Sequence, residues 1–411
     1  MAREIILQKL PVGWSYNLLD NIAERCSGHT PSKSFPEYWN GGIKWISLAD
    51  SCRLDKGYVY ETDKEISLEG IKNSSAEVHP AETVVLSRDA GVGKSGVMAT
   101  PMAVSQHFIA WKCDNKEKLH SWYLYNWLQL NKDEFERQAV GSTIKTIGLP
   151  YFKKLRIAVP PFDEQKKIAQ ILSAWDKAIS VTEKLLTNSQ QQKKALMQQL
   201  LTGKKRLLDE NGVRFSGEWC TCTLSEVSHI IMGSSPKSEA YNDNGLGLPL
   251  IQGNADIKCR VSCPRVYTSD ITKECFPGDI LLSVRAPVGS VALSQHNACI
   301  GRGISAIKSK MKTSQSFLYQ WFLWFEPKWC SLSQGSTFES INSDDIKTLK
   351  LAIPDYEEQQ KIAAVLSAAD AEISTLEKKL ACLKDEKRAL MQQLLTGKRR
   401  VKVDAEEAVS A

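Results

Sequence analysis

The feature that most constrains this chain is a long internal repeat. The string ALMQQLLTGK occupies residues 195–204 and returns at 389–398. Extended backwards, residues 162–207 align without a gap on 356–401, and 26 of the 46 aligned positions are identical. Similarity at one fixed offset is the signature of a duplicated architecture. The chain therefore alternates a variable segment with a repeated segment, twice.

The repeated segments predict long helices with one narrow apolar seam. Apolar residues return at alternating spacings of four and three, which is typical of a coiled coil. The predicted seam contains Ile168, Leu172, Trp175, Ile179, Leu186, Ile362, Leu366, Ile373, Leu376, Leu380 and Leu383. Polar residues interrupt it, among them Lys193 and Lys387. Because the copies have equal length and matching seams, pairing between them is favoured over a core helix inside each domain.

Signals for helix ends bound both repeated segments. Each segment follows a proline and ends at LLTGK, where Gly203 and Gly397 are predicted C-caps. The lysines that follow, Lys204 and Lys398, complement the negative end of the helix dipole.

The variable segments have a different character. They contain short β-type runs such as GIKWISL and GDILLSV, separated by glycine, asparagine and serine. Each closes with an aromatic helical stretch, SWYLYNWLQL in the first and SFLYQWFLWF in the second. Each variable segment is therefore predicted to form a compact α+β domain. A chain of 411 residues is also long enough for more than one core.

Composition narrows the class of protein. With 42% apolar and 24% charged residues, the chain is an ordinary globular protein. The net charge of +6 is compatible with a nucleic-acid partner. The sequence has no apolar run long enough for a membrane span and no signal-peptide pattern, and its eleven scattered cysteines fit a reducing compartment. A cytoplasmic protein without a membrane partner is predicted.

Motifs for catalysis are incomplete. RDAGVGKSG at 88–96 ends like a phosphate-binding loop, but Arg88 stands where the first glycine belongs, so a β-hairpin turn is predicted. VPPF at 159–162 lacks the asparagine of the amino-methyltransferase motif and is interpreted as a helix opening. Cysteines and histidines lack the spacing of zinc sites. The chain is therefore predicted to have no catalytic site, no metal site and no cofactor of its own.

The openings of the repeated segments carry a family resemblance. They follow P-x-x-E-Q-x-x-I, as PPFDEQKKI and PDYEEQQKI, and ALMQQLLTGK comes later in both copies. With the alternating organisation, nearly the whole chain resembles the specificity subunit of a type I restriction–modification system. The implied fold class is α+β, with two target-recognition domains, two long helices paired as an antiparallel coiled coil, and a tandem pseudo-twofold repeat.

The resemblance also implies a division of the chain. Residues 1–155 and 206–349 correspond to the first and second target-recognition domains. Residues 156–205 and 350–401 correspond to the two spacer helices, and 402–411 to a flexible tail.

The function implied by the resemblance is recognition of DNA for defence against phage, without catalysis. Each target-recognition domain reads one half of a bipartite, asymmetric site in double-stranded DNA, and the helices fix the spacing. Two modification subunits, which bind S-adenosylmethionine, methylate adenine. Restriction subunits, which use ATP and Mg²⁺, cleave. The approximate twofold symmetry would let two copies of one partner dock equivalently.

Candidate DNA contacts come from residue types that can read base edges or bind phosphate. They are Arg88, Lys94, Lys237, Arg285 and Arg302 in the variable segments, and Ser142, Thr143, Lys145, Ser336 and Thr337 at two repeated Gly-Ser-Thr loops. The hydroxyl groups of these loops suit phosphate contact, and they suit ordinary helix capping as well.

Two other classes of protein compete with this interpretation. A methyltransferase or NTPase acting alone would need the cofactor motifs that are incomplete here. A coiled-coil scaffold would not need two dissimilar globular domains placed symmetrically on the helices.

Overall fold

Two units make up the chain, and the boundaries between them fall inside two long helices. The computed structural model describes residues 10–113, 117–332 and 340–403. The first unit combines Met1–Thr182 with Lys379–Ala411, and the second is Glu183–Lys378. The long helices are α5 (Phe162–Leu200) and α9 (Tyr356–Leu394). Each unit therefore contains one variable segment and part of both long helices.

Within the described part of the first unit, ten strands form three sheets. The strands are β1 (Ser15–Leu18), β2 (Glu24–Ser27), β3 (Trp39–Ile46), β4 (Tyr58–Val59), β5 (Lys64–Ile66), β6 (Val84–Ser87), β7 (Ser95–Met98), β8 (Ala103–Val104), β9 (Phe108–Lys112) and β10 (Arg156–Val159). The sheet orders are β2-β9-β6-β7-β4, β5-β3-β8 and β1-β10. Strands β6 and β7 are antiparallel neighbours joined by residues 88–94, so the predicted hairpin turn is confirmed.

Short helices pack on these sheets. They are α1 (Leu68–Lys72), α2 (Ser121–Leu130), α3 (Lys132–Gln138) and α4 (Leu149–Phe152). The predicted aromatic helix is confirmed as α2, whose Tyr123 is buried in one cluster with Trp111 of β9. Ile168 and Leu172 of α5 and Leu394 of α9 belong to the same cluster. The ends of both long helices are thus part of the core of this unit.

Thirteen strands form three sheets in the described part of the second unit. The strands are β11 (Cys220–Thr223), β12 (Ser228–Met232), β13 (Tyr241–Asn242), β14 (Leu248–Ile251), β15 (Ile257–Lys258), β16 (Val261–Ser262), β17 (Val266–Thr268), β18 (Glu274–Cys275), β19 (Ile280–Ser283), β20 (Val291–Leu293), β21 (Ala298–Ile300), β22 (Ile304–Ser309) and β23 (Lys350–Ile353). The sheet orders are β12-β22-β19-β20-β16-β15, β13-β17-β14-β21-β18 and β11-β23.

The helices of the second unit follow the same plan. They are α6 (Leu224–Val227), α7 (Gln315–Leu332) and α8 (Ser343–Lys347). The second predicted aromatic helix is confirmed as part of α7. Phe317 of α7 is buried in one cluster with Leu200 of α5 and with Ile362 and Leu366 of α9. Mixed sheets combined with helices confirm the predicted α+β class.

In the second unit, the long helices run antiparallel. The Lys193 ammonium group donates to the Asp370 carboxylate at 2.5 Å, and the Ser189 hydroxyl donates to the Glu372 carboxylate at 3.0 Å. Moving towards the N-terminus of α5 therefore means moving towards the C-terminus of α9.

The first unit contains the equivalent ion pair. Lys387 donates to Asp176 at 2.6 Å, and these residues are the repeat equivalents of Lys193 and Asp370. The same pair thus forms once in each unit with the roles of the helices exchanged, and the predicted antiparallel pairing is confirmed. The two lysines that interrupt the apolar seam are the cationic partners of these pairs.

Burial along the predicted seam falls away from the helix ends. The fully buried members are Ile168, Leu172, Ile362 and Leu366. The half-buried members are Trp175, Ile179, Leu186, Ile373, Leu376, Leu380 and Leu383. Hydrophobic stabilisation is therefore concentrated where the helices enter the two domain cores.

The glutamine of the repeated motif attaches each helix start to its domain. The Gln165 side-chain amide donates to the carbonyl groups of Pro160 and Lys118, both at 3.0 Å. Its oxygen accepts from the His120 backbone N–H at 2.8 Å. Gln359 makes the equivalent three hydrogen bonds in the second unit.

The glutamate of the motif makes a bidentate ion pair. Arg206, which follows α5, donates to Glu358 at the start of α9 through two bonds of 2.7 and 2.6 Å. Arg400, which follows α9, binds Glu164 at the start of α5 in the same way, with both bonds at 2.7 Å. Each glutamate is buried, and two parallel bonds fix its geometry.

The predicted C-caps are also confirmed. Gly203 and Gly397 have φ angles of +70° and +73°, in the left-handed region that glycine adopts without a steric penalty.

Candidate nucleic-acid interface

A polar cleft opens in the second unit where four loops meet. The loops follow β12, β14 and β19 and precede β22, and the cleft has a volume of about 510 Å³. The polar side chains along its wall are those of Ser235, Ser238, Tyr241, Gln252, Asn254, Ser283, Arg285 and Arg302. These residue types can read base edges.

Backbone hydrogen bonds hold these loops together. The Ser234 N–H donates to the Ile300 carbonyl at 3.0 Å, and the Val284 N–H donates to the Gly303 carbonyl at 2.9 Å. A Cβ atom at Gly303 would overlap the Gln252 carbonyl oxygen, so this close approach requires glycine.

Two of the predicted DNA contacts, Arg285 and Arg302, lie in this cleft. Both are exposed, and neither guanidinium group makes a hydrogen bond or ion pair with the residues that the structure describes. Lys237 is exposed next to the wall residue Pro236, and its backbone N–H donates to the Asp270 carboxylate at 3.0 Å. The second unit therefore gathers two positive charges in a cleft of polar side chains.

The first unit repeats this arrangement of loops. The same two backbone hydrogen bonds run from His29 to Val104 at 3.0 Å and from Arg88 to His107 at 2.9 Å. A Cβ atom at Gly28 would overlap the Val104 carbonyl oxygen, and a Cβ atom at the equivalent Gly233 would overlap the Gly301 carbonyl oxygen. The loops of the two variable segments are thus built alike, although their sequences have diverged.

The equivalent hydrogen bonds define which residues of the two units correspond. Gln106 occupies the position of Arg302, two residues before strands β9 and β22. Asp89 occupies the position of Arg285, and in both units a serine hydroxyl donates to the carbonyl group of this residue, at 2.7 and 2.9 Å. Equivalent positions therefore carry different charges.

A chain of hydrogen bonds crosses the corresponding surface of the first unit. The Thr30 hydroxyl bonds to Gln106 Oε1, and Gln106 Nε2 lies 3.4 Å from His107 Nε2. His107 Nδ1 lies 2.8 Å from one oxygen of Asp89, and the Thr146 hydroxyl bonds to the other. With Nδ1 donating to the carboxylate, a neutral His107 accepts from Gln106 through Nε2.

Two further predicted contacts of the first unit have partners inside the protein. The Lys94 ammonium group donates to the Ser51 hydroxyl at 2.8 Å and to the Ser51 carbonyl at 3.2 Å. Arg88 is half-buried, and its Nε lies 3.6 Å from the Asp89 carboxylate. Lys94 and Arg88 therefore contact groups of the protein itself, unlike Arg285 and Arg302 in the cleft of the second unit.

The first Gly-Ser-Thr loop is exposed and irregular. It contains Ser142, Thr143 and the neighbouring Lys145, and no described helix begins at either hydroxyl. These hydroxyl groups therefore do not act as helix caps. Ser336 and Thr337 of the second loop lie outside the described residues.

Sequence reasoning missed several residues of these surfaces. Thr30, Gln106, Gln252 and Asn254 were not among the predicted contacts, because polar residues in loops are common. A signal existed: the echo between Gly28-x-x-Pro31 and Gly233-x-x-Pro236 marks the loop that carries Thr30 or Ser235.

Three groups that could bind a metal ion meet elsewhere in the first unit. Ligand atoms of Cys26, Glu77 and His79 lie within 4.8 Å of one another. Both ring nitrogens of His79 are buried without a hydrogen-bond partner among the described residues, and burial lowers the pKa of this ring. The Lys112 ammonium group lowers it further, and its positive charge also opposes a cation. A neutral, buried imidazole accounts for this arrangement.

Within the described ranges, no helix is both long enough and apolar enough to cross a membrane.

Comparison with known proteins identifies one family. The sequence profile described as "Type I restriction modification DNA specificity domain" matches residues 11–188 and 216–384. The two matched stretches cover most of the chain, one in each half.

Individual relatives agree with this match. A Methanocaldococcus jannaschii protein provisionally named the type I restriction enzyme MjaX specificity subunit is 35% identical over 302 residues, which cover 70% of each chain. The MjaIX specificity subunit of the same organism is 23% identical over 97% of this chain and 96% of its own. The fold resembles that of the type I restriction–modification S subunit from M. genitalium, with a TM-score of 0.61 and 16% identity over 94% of this chain and 97% of the other.

Proposed function

The chain belongs to the type I restriction–modification DNA specificity family, and from this premise we propose how its residues read DNA. Members of the family are specificity subunits, and this chain is the sequence-specific DNA-recognition subunit of such a complex. It directs the chemistry of other subunits and is not itself an enzyme.

One observation carries the proposal for the site. Equivalent loops of the two units form equivalent surfaces, yet Arg285 and Arg302 of the second correspond to Asp89 and Gln106 of the first. Side chains at base edges give sequence specificity, so two alike scaffolds with unlike side chains suit a site whose halves differ. Each variable domain therefore reads one half of a bipartite, asymmetric site.

The remaining predicted contacts take part in a less specific way. Lys237, Ser142, Thr143 and Lys145 are exposed on loops and suit contacts to phosphate. Arg88 shapes the surface of the first domain through its ion pair with Asp89, and Lys94 does so through its hydrogen bonds to Ser51. Ser336 and Thr337 act as the repeat equivalents of Ser142 and Thr143.

Each part of the chain has its own role in DNA recognition. The first and second target-recognition domains are residues 1–155 and 206–349. The spacer helices are 156–205 and 350–401, followed by a tail at 402–411, and the seam residues hold the helices together. The paired helices set the spacing between the two half-sites.

Partner subunits supply the catalytic chemistry in this account. Two modification subunits, which bind S-adenosylmethionine, dock on the repeated helices, and restriction subunits bring ATP and Mg²⁺. The duplicated ion pairs, Asp176 with Lys387 and Asp370 with Lys193, support two docking sites of the same kind.

The test measures binding of the chain, assembled with its modification subunit, to duplex DNA over a series of salt concentrations. Phosphate contacts release counterions, so the logarithm of affinity should fall linearly with the logarithm of salt concentration. The variants R285Q and R302Q should weaken binding, whereas R214Q should not. Arg214 is exposed in the same unit but does not line the cleft, so R214Q is a charge-matched control. Equal losses in all three variants would overturn the assignment of the cleft.

A further inference from the structure

The corresponding surfaces of the two units differ at one pair of exposed, equivalent positions, 106 and 302. Both positions are exposed and lie two residues before a core strand, β9 or β22. Both lie beside the loop of the Gly-x-x-Pro echo, since Thr30 bonds to Gln106, and Ser235 lines the same cleft as Arg302. In either domain, a base edge that approaches the loop carrying Thr30 or Ser235 would therefore meet the side chain at position 106 or 302.

The side chains at these positions suit different bases. Arg302 has a fork of N–H donors and no acceptor, and a guanine presents two acceptors, O6 and N7, in the major groove. Gln106 has one acceptor and one donor group, which match the N6 amino group and N7 of adenine. Its hydrogen bonds to Thr30 and His107 use one donor and one acceptor site and leave the others available.

Neighbouring charges reinforce this difference. Arg285 lines the same cleft as Arg302, so a ligand there meets two guanidinium groups. Their donors and positive charges favour a base edge that presents acceptors, as guanine does. The first unit has Asp89 at the equivalent position, with its oxygens bound by His107 and Thr146. That carboxylate does not attract guanine acceptors, whereas it tolerates an amino group.

From these observations, and resting on the proposed function, we propose that positions 106 and 302 are the equivalent base-reading positions of the two domains. Arg302 pairs with a guanine in one half-site, and Gln106 pairs with an adenine in the other. The bipartite target then has a required guanine on the side read by the second domain and a required adenine on the side read by the first.

The test uses the chain assembled with its modification subunit and selects bound duplexes from a random DNA library. For the unaltered chain, replacing the required guanine should weaken binding about tenfold to a hundredfold, the discrimination of one good bidentate pair. The variant R302Q should move the preference at that single position from guanine towards adenine and leave the other half-site unchanged. The reciprocal variant Q106R should move one position of the first half-site from adenine towards guanine.

Controls separate base reading from phosphate contact and from misfolding. R214Q removes the same charge outside the cleft and should leave the selected motif unchanged. A phosphate contact at Arg302 would instead make R302Q weaken all sequences equally and lower the salt dependence. Such a uniform loss would overturn the inference. So would a second half-site without a required guanine, or a normally folded R302Q that has lost all sequence preference. Absence of any two-part motif for the unaltered chain would instead refute the proposed function.

Discussion

At the scale of single residues, the two copies differ in how they satisfy one aspartate of the long helices. Gln320 Nε2 donates to the Asp370 carboxylate at 2.8 Å in the second unit. The repeat equivalents in the first unit are Asn126 and Asp176, but the asparagine amide binds the Trp122 carbonyl instead. As a result, Asp176 Oδ2 is buried without a partner among the described residues, whereas the amide oxygens of Asn126 and Gln320 lack one in both units. An unsatisfied buried acceptor costs free energy.

A glutamine at position 126, as at the equivalent position 320 of the second unit, should stabilise the protein. The variant N126Q adds the methylene group that lets the amide reach Asp176, and we expect the free energy of unfolding to rise by about 1 kcal/mol. Thermal unfolding should shift upwards by about 2–4 °C. The reciprocal variant Q320N should lower stability by a similar amount. A neutral Q320N together with a destabilising N126Q would contradict this explanation.

A buried histidine makes stability depend on pH. Burial lowers the pKa of His79 below the ordinary histidine value of 6.5, so below about pH 6.5 the unfolded chain binds a proton that the folded chain does not. The stability that this group contributes is present above that pH and is lost as the pH falls below it. The free energy of unfolding changes with pH by at most about 1.4 kcal/mol per pH unit from one such group.

The variant H79Q should have a shallower pH dependence of the free energy of unfolding between pH 7 and 5.5. The control variant H229Q, at the exposed His229, should keep the original slope. Equal slopes in all three proteins would contradict the assignment.

At the scale of secondary-structure elements, the long helices are matched by polar pairs as well as by their apolar seam. Lys193 and Asp370 are 12% and 41% exposed, so their ion pair is partly shielded from water. A polar pair inside a seam costs stability but specifies the partner and the register. An antiparallel pairing shifted by one heptad would separate these charges.

Exchanging the charges of this pair tests that role. D370K alone places two ammonium groups against each other, and we expect a loss of about 1–3 kcal/mol in the free energy of unfolding. Adding K193D should restore part of it, and the restoration is incomplete because Gln320 also binds Asp370. A double-mutant cycle by urea unfolding should give a coupling energy of about 0.5–3 kcal/mol. Additive effects would show that the pair does not help to define the register.

The elements were also the part of the molecule that sequence could predict. The helices, their antiparallel partner and the α+β class follow from local spacing and from the repeat, which every residue of a segment helps to define. The spacing places Lys193 and Lys387 in the seam but indicates only interruptions there, because their ion-pair partners lie on the other helix. The cleft could not be predicted, since its four loops come from distant parts of the chain. Arg302 was therefore found by its residue type, and Gln106 was missed.

At the scale of the whole molecule, the duplicated motif links the two copies. Arg206 after the first long helix binds the start of the second, and Arg400 after the second binds the start of the first. The variable segments lie between these fixed points. This organisation allows a variable segment to change without altering the repeated helices.

Modular exchange follows from that organisation. Replacing residues 1–150 by the corresponding segment of a relative should change one half of the recognised site and leave the other half and the spacing intact. The measurement is the motif bound or methylated by the chimera. The unaltered second domain is the internal control. A change in both half-sites would contradict independent reading by the two domains.

The most direct test of the central claim is sequencing that detects N6-methyladenine in the DNA of cells that express the modification subunit with or without this chain. A methylated, asymmetric, two-part motif should be present with the chain and absent without it. Unchanged methylation, with both proteins present and assembled, would contradict the claim that this chain recognises the DNA target.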